Sequence, residues 1–469
     1  MPGIGAYPRY IGVILCAAAV ATSSVSLQRT IFHRPEASFF PEFAGMVIYV
    51  SDVLLAVGLF VWFVGWYLSP TIQLRFGPKR VFLPLAAIVL ISSASFLWAP
   101  DAAVAGYSSL RRILFIGMYV VLVSEMVRAT VPMVVALIVV ASAHTVVGLM
   151  QVALGEAIGV SILGELASDA LEFEKIGNPQ AYGFGANPNP VGMYLAITSV
   201  LSFGFFLLYE SNRLMKGLTL LLFLAILVGM LATFSRSALL GWFIAISVMA
   251  FLALAGSDVR RGLVFQRIGI VMLIVGLLIV AGVVVDPGGV GSQGISGVQR
   301  FTSENVANGF SYMVDDFEAS IPVIQDNFIR GVGAGNYPQA LVNIGSDNAK
   351  IVLTVPVHNV FLLTFAEVGI IGGLAWIAIT IAPIAWIVRN RRSPHFDTRT
   401  LIWVGPVLVL LFESLQDSTP WATQDGRVLM WGMLAMWVGA LLVEKPRPVT
   451  EEEAESIGPD SSILLPRGH

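Results

Sequence analysis

VPMVVALIVVASAHTVVGLMQVAL, residues 131–154, holds no Lys, Arg, Asp or Glu. A helix crosses the hydrocarbon core of a bilayer in roughly 20 apolar residues, so this run alone is long enough to span one. Similar segments recur along the chain. Twelve are read, at about 10–27, 44–68, 81–98, 111–127, 131–154, 190–209, 216–234, 237–255, 267–286, 358–388, 400–416 and 427–443. The fourth opens on Arg111 and Arg112, and the eleventh ends in Glu413. The first is read as a retained span. It lacks a clear small-residue cleavage site, and Arg9 is its only basic n-region residue.

Composition agrees. Of 469 residues, 56% are hydrophobic and 12% charged, and the mean hydropathy is +0.81. Soluble proteins are near a quarter charged, so a soluble enzyme with one buried core is excluded, as is a disordered chain. Lys and Arg number 27 against 30 Asp and Glu, with no basic block, which argues against a nucleic-acid partner. The single cysteine, Cys16, rules out an intramolecular disulfide and a cysteine-based zinc site. The expected fold is all-α: a polytopic membrane protein of about twelve transmembrane helices with a large outer loop region.

Basic residues set the orientation. With the N-terminus inside, the cytoplasmic loops hold Arg75, Lys79, Arg80, Arg213, Lys216, Arg260, Arg261, Arg267, Arg389, Arg391, Arg392 and Arg399, as the positive-inside rule favours. Residues 1–443 then form the transmembrane domain. Residues 444–469, with EEEAE at 451–455, form a cytoplasmic tail expected to be disordered. Two long polar loops fall outside, at about 155–189 and 287–357. Loops of that length are usually functional or disordered. The second carries an expected amphipathic helix near 310–326, followed by GVGAGNYP.

The outer side offers few chemically active groups. Arg236 sits in TFSRSALLGW, in a turn with almost no loop. A guanidinium fork matches phosphate oxygens; the plain alternative is an Arg reaching lipid headgroups. Ser235, Ser237 and Thr233 make the turn polar and favour the first reading. His358 stands where the long loop enters the tenth span. It fits a proton acceptor near neutral pH or an ordinary residue at a helix N-terminus. Glu367 lies nine residues on, roughly 13 Å deeper and on the opposite helix face, which suits a buried ion pair or hydrogen bond between helices. Gly369 and Gly373 fit close helix contact.

In the second loop, Arg330 precedes Gly331, Gly333 and Gly335, whose backbone N–H groups could turn toward an anion. Plain loop glycines explain the same pattern. Arg300 and Lys350 add charge. In GANPNPVGMYL, 185–195, Asn189 fits an N-cap and Pro190 the first helical position. Asp315 and Asp316 with Glu318 could bind a metal, and Asp315 and Glu318 share a helix face, but this is a weak signal; a solvated face is the preferred reading.

The ordered set of motifs resembles the O-antigen ligase / Wzy-type polysaccharide polymerase superfamily of bacterial membrane proteins. It comprises His358-Asn359, an apolar stretch, Glu367 and two glycines, preceded by the G-x-G-x-G-N-Y loop with Gly333 and Asn336 and by the T-x-S-R turn. The resemblance covers roughly residues 180–390. It implies a GT-C-like, metal-independent, inverting glycosyltransferase of the bacterial inner membrane, with its site facing the periplasm and no cofactor. It implies an undecaprenyl-diphosphate-linked glycan donor and an acceptor that is either a second glycan or lipid A-core. A chain-length regulator and a flippase would accompany a polymerase. By the same resemblance, Arg236 and His358 are catalytic. Asn189, Asn359, Gly333, Asn336, Arg330 and Arg300 touch diphosphate or glycan, and Glu367 supports them. Family members often carry a Gly-Arg pair in the loop helix; here the counterpart is Gly309-Phe310, so Arg300 or Arg330 is expected to supply the charge. A secondary transporter would also suit twelve spans, but the polar residues gather in one outer loop and not at the midplane. A membrane scaffold would need a long extramembrane domain.

Overall fold

The computed structural model describes residues 5–33, 41–69, 72–167, 180–209, 212–255, 261–285, 303–344, 356–390 and 398–443. Arg300, the tail 444–469 and the remainder of the second outer loop lie outside the described residues.

Each of the twelve expected spans corresponds to a helix. These are α1 (Ala6–Thr22), α2 (Val50–Leu68), α3 (Lys79–Ala94), α4 (Ala102–Ser124), α5 (Met126–Leu154), α6 (Pro188–Leu208), α7 (Arg213–Ala232), α8 (Arg236–Ala255) and α9 (Arg261–Val285). After α10 (Ser303–Asp326) and α11 (Tyr337–Ile344), which belong to the long loop, come α12 (Val360–Asn390), α13 (Thr398–Gln416) and α14 (Gln424–Leu442). Ten of the helices are long and apolar enough to cross a membrane by length and composition; α1, at 17 residues, is a shorter apolar helix.

Burial matches a lipid solvent. On α5, Val127, Val131, Val135 and Val139 form an exposed stripe at a spacing of four, while Met133, Leu137, Ala141 and His144 on another face are buried. Water would not tolerate such a stripe; hydrocarbon does. In contrast, α6 and α14 are almost wholly enclosed and form the centre of the bundle.

The loops sort into two ends, as the alternation of spans requires. At one end the Ser26 N–H donates to the Phe184 carbonyl (2.8 Å), and the Ala181 N–H to the Ala232 carbonyl (2.9 Å). There, too, the Trp98 indole donates to the Gly331 carbonyl (3.0 Å). At the other end the Arg75 N–H meets Ser124 Oγ (2.9 Å), and the Arg267 guanidinium meets the Leu207 carbonyl (2.5 Å).

Three boundaries depart from expectation. Helix α4 starts nine residues before Arg111, because Asp101 caps it by accepting from the N–H groups of Ala103 (3.1 Å) and Val104 (3.3 Å). Arg111 and Arg112 therefore ride inside the bundle, both buried. Residues before α2 form an antiparallel hairpin, β1 (Gln28–His33) with β2 (Gly45–Tyr49), where the span was expected to begin at 44. The cap of α6 is Asn187, with Pro188 in the first turn. The repeat Asn-Pro-Asn-Pro offers the same cap twice, and the chain uses the first copy.

Candidate functional site

Helix α10 is amphipathic and presents Asp316, Ser320 and Val323 on its buried face, while Asp315 and Glu318 are exposed. The spacing 316, 320, 323 is one helical stripe. Asp316 uses its place on it to reach a partner in another element: its Oδ2 meets Nδ1 of His358. His358 sits just before α12 with its side chain 41% exposed. Asn359 fixes the entry to that helix. Its Oδ1 accepts from the Leu362 N–H (3.0 Å), and its Nδ2 donates to the Leu415 carbonyl at the end of α13 (3.0 Å).

The pair determines what the imidazole can do. Burial pulls the His358 pKa down. The hydrogen bond to Asp316 and the charges of Asp417 and Asp316 push it up and prevail, so the pKa stands above its ordinary value. A carboxylate only accepts, so Nδ1 carries the proton in the neutral ring and Nε2 is left as the basic nitrogen.

The turn holding Arg236 is built with strain. Phe234 has φ 53°, the one positive φ outside glycine among the described residues. A bulky side chain in the left-handed region costs on the order of 1 kcal/mol or more. The turn is held by the Thr233 hydroxyl, which donates to the Met230 carbonyl (2.7 Å), and by the Ser237 hydroxyl, which donates to Glu413 Oε1 (2.9 Å). Helix α6 packs against it at Gly192, where a Cβ would stand 2.7 Å from Ser235 Cβ. Arg236 opens α8 with its side chain exposed. Thus the Arg236 turn and the His358 turn are both tied to the same end of α13, at Glu413 and Leu415. Those two residues are about 3 Å apart along the helix axis.

The glycine loop does a different job. Gly369 breaks α12 at φ 70°, ψ −167°, which frees carbonyls in the preceding turn. The loop pairs with them. The Val332 N–H donates to the Ala366 carbonyl (2.8 Å), the Gly333 N–H to the Glu367 carbonyl (2.9 Å), and the Ile370 N–H to the Phe328 carbonyl (2.8 Å). A Cβ on Gly331 would lie 2.3 Å from the Glu367 carbonyl oxygen, and one on Gly369 would lie 2.4 Å from that of Ile329. The N–H groups of this loop are consumed internally, so they do not form the anion nest that the sequence allowed. Asn336 is buried and stitches the loop to α4: its Oδ1 accepts from the Asp101 N–H (2.7 Å). Gly369 likewise serves a kink, not a helix–helix crossing.

Glu367 is buried and has Arg112 (3.7 Å) and the Trp421 indole (2.8 Å) as partners. The Arg112 guanidinium lies over the Trp421 ring at 4.4 Å. Arg330 is exposed, its guanidinium 6.0 Å above the Trp98 ring. Asn189 is exposed, and its N–H is spent on Asn187 Oδ1 (2.8 Å).

Residues 220–377 match the family model for O-antigen ligase. Over that stretch the chain is similar to O-antigen ligases. A comparison with curated proteins finds no match. The O-antigen ligase match runs from within α7 to within α12 and takes in Arg236, Asp316, Arg330, His358 and Glu367. Glu413, Asp417 and the α6 cap lie outside the matched O-antigen ligase stretch, yet they pack on it. Sequence reasoning weighed Asp316 only as part of an acidic metal candidate and missed Asp417 and Glu413 as site residues. For Asp316 the signal was an acid on the apolar stripe of an amphipathic helix.

Proposed function

We propose that the protein is a glycosyltransferase that moves glycan from an undecaprenyl-diphosphate donor to an acceptor sugar hydroxyl. The observation that carries this reading is the His358–Asp316 pair, half-exposed beside Asp417 and tied through α13 to the Arg236 turn. The Nε2 of His358 takes the acceptor hydroxyl proton. The acceptor oxygen attacks the anomeric carbon, the bond from that carbon to the phosphate oxygen breaks, and the configuration inverts. The bonding pair leaves with the lipid diphosphate. Arg236, with Arg330 or Arg300, offsets the charge that grows there. Guanidinium charge does the neutralising, so no metal or cofactor enters the reading.

The basic residues Arg75, Lys79, Arg80, Arg213, Lys216, Arg389 and Arg399 lie at the opposite end of the bundle. Under the positive-inside rule this turns the His358 end to the periplasm of an inner-membrane protein. The acceptor is a further repeat unit if the protein is an O-antigen or exopolysaccharide polymerase, and lipid A-core if it is a ligase. Purified protein given lipid-linked glycan should yield extended or transferred glycan in the presence of a chelator. His358→Ala and Arg236→Ala variants that turn over normally would sink the assignment.

A further inference from the structure

Between the β-hairpin and the first turn of α6 lies a cavity of about 100 Å³, room for several water-sized groups. Ser24, Glu42, Asn187, Pro190, Gln424 and Asp425 are among its lining residues. No step proposed above uses it.

Its lining combines hydroxyls and amides with two carboxylates and no cation. Gln424 is 2% exposed, and its Nε2 donates to Ser51 Oγ (3.0 Å) and Asp52 Oδ1 (2.8 Å). A carboxylate can only accept, so the amide orientation is fixed. Oε1 is then an acceptor, buried and without a hydrogen-bond partner among the described residues. Leaving such a group unpaired is costly. The carboxylates of Glu42 and Asp425 add further acceptors. Such a cavity repels phosphate. Nor does it suit a metal ion: no group of three His, Cys, Asp or Glu able to hold one occurs among the described residues. A neutral ligand rich in O–H donors fits it, and a sugar ring is that ligand.

Its place is equally specific. Two residues beyond Pro190, Gly192 packs against Thr233 and Ser235 of the Arg236 turn. On the other side, Gln424 and Asp425 follow Trp421, which holds Glu367, and Asp417, which faces His358. Eight residues separate Asp417 from Asp425, a span of at most roughly 28 Å. That is within reach of a short glycan chain.

We infer that this cavity is a neutral-sugar subsite, holding a residue of the glycan away from the bond that reacts. The inference rests on the glycosyltransferase reading for its purpose, but sugar binding can be read without turnover. The test is saturation-transfer NMR on the detergent-solubilised full chain, with D-glucose, D-galactose and N-acetyl-D-glucosamine as probes. Wild type and His358→Ala should both transfer saturation to at least one sugar. Gln424→Leu should weaken the signal at least fivefold. Ala186→Phe, which fills the cavity without removing any of its hydrogen bonds, should do the same at an unchanged Tm. Binding in a protein that proves to have no transferase activity upholds the subsite and sinks only the enzyme reading. No transfer to any probe would overturn the inference, as would an undiminished signal in Ala186→Phe. Calcium binding that is lost in Glu42→Gln, with no sugar bound, would also overturn it.

Discussion

Two sets of charged side chains occupy the loop-bearing half of the bundle, and they differ in what surrounds them. In the first, His358 is 41% exposed, with Asp316 behind it and Arg236 exposed on a neighbouring turn. In the second, Arg112 pairs with Glu367, and both are at most 3% exposed. Beside it Arg111 pairs with Asp52 at 3.4 Å, its guanidinium 5.2 Å from the Tyr49 and Tyr107 rings alike. The second set breaks the rule that charge avoids the membrane interior, whereas the first sits at helix ends and in the long loop. Only the first leaves polar atoms open to a reactant. The second is enclosed by aromatic rings and other helices, and it positions α4, α12 and the Trp421 turn. Charge in a membrane protein thus marks a site only when something can reach it; closed in, it is a fastener.

That contrast can be broken by substitution. His358→Ala is expected to lower kcat/KM for glycan transfer by about 10²–10⁴-fold, the range for loss of a general base, with little change in thermal stability. Arg236→Ala should cost about 10²–10³-fold, as for loss of one charge-stabilising donor. Arg236→Lys should recover only part of this, because an ammonium lacks the planar fork. A fluorescence-based melting assay beside the kinetics separates these from folding defects. The buried set should behave in the opposite way. Glu367→Ala is expected to destabilise the protein by about 3–5 kcal/mol, because it strands Arg112 in the interior. Arg112→Met combined with Glu367→Met should cost less than the sum of the two single changes. A double-mutant cycle on melting or chemical denaturation measures this. The smallest effect is expected at the kink: Gly369→Ala should cost about 1–3 kcal/mol, from a left-handed φ and a clash with the Ile329 carbonyl.

The spans were legible because bilayer thickness forces each into a run of roughly 20 apolar residues. The boundary at Arg111 was not. Hydropathy treats an arginine as an end, whereas two aromatic rings and Asp52 make its burial tolerable. The hairpin before α2 was missed because its strands feed directly into an apolar helix and share its composition. His358 and Arg236 stand out in the sequence by the scarcity of charge on their side of the membrane. Asp316 does not, because the reading weighed Asp315 with Glu318 on a solvated face. The neighbouring stripe through Ser320 and Val323 was the one that packs. The structural roles of Gly333 and Asn336 were hidden for a deeper reason. Their partners, the carbonyl of Glu367 and the N–H of Asp101, are distant in sequence, and the first is freed only by the break at Gly369.

The most direct measurement is the pH dependence of single-turnover glycan transfer from a lipid-linked donor, in wild type and in Asp316→Asn. A base must be neutral to act, so the rate should rise with pH through the His358 pKa, which Asp316 and Asp417 hold above about 6.5. Removing the Asp316 charge should move that rise to lower pH and lower the plateau. A wild-type profile flat across pH 5–8, or a rise that stays where it was in Asp316→Asn, would contradict the assignment of His358 and Asp316 as the base and its support.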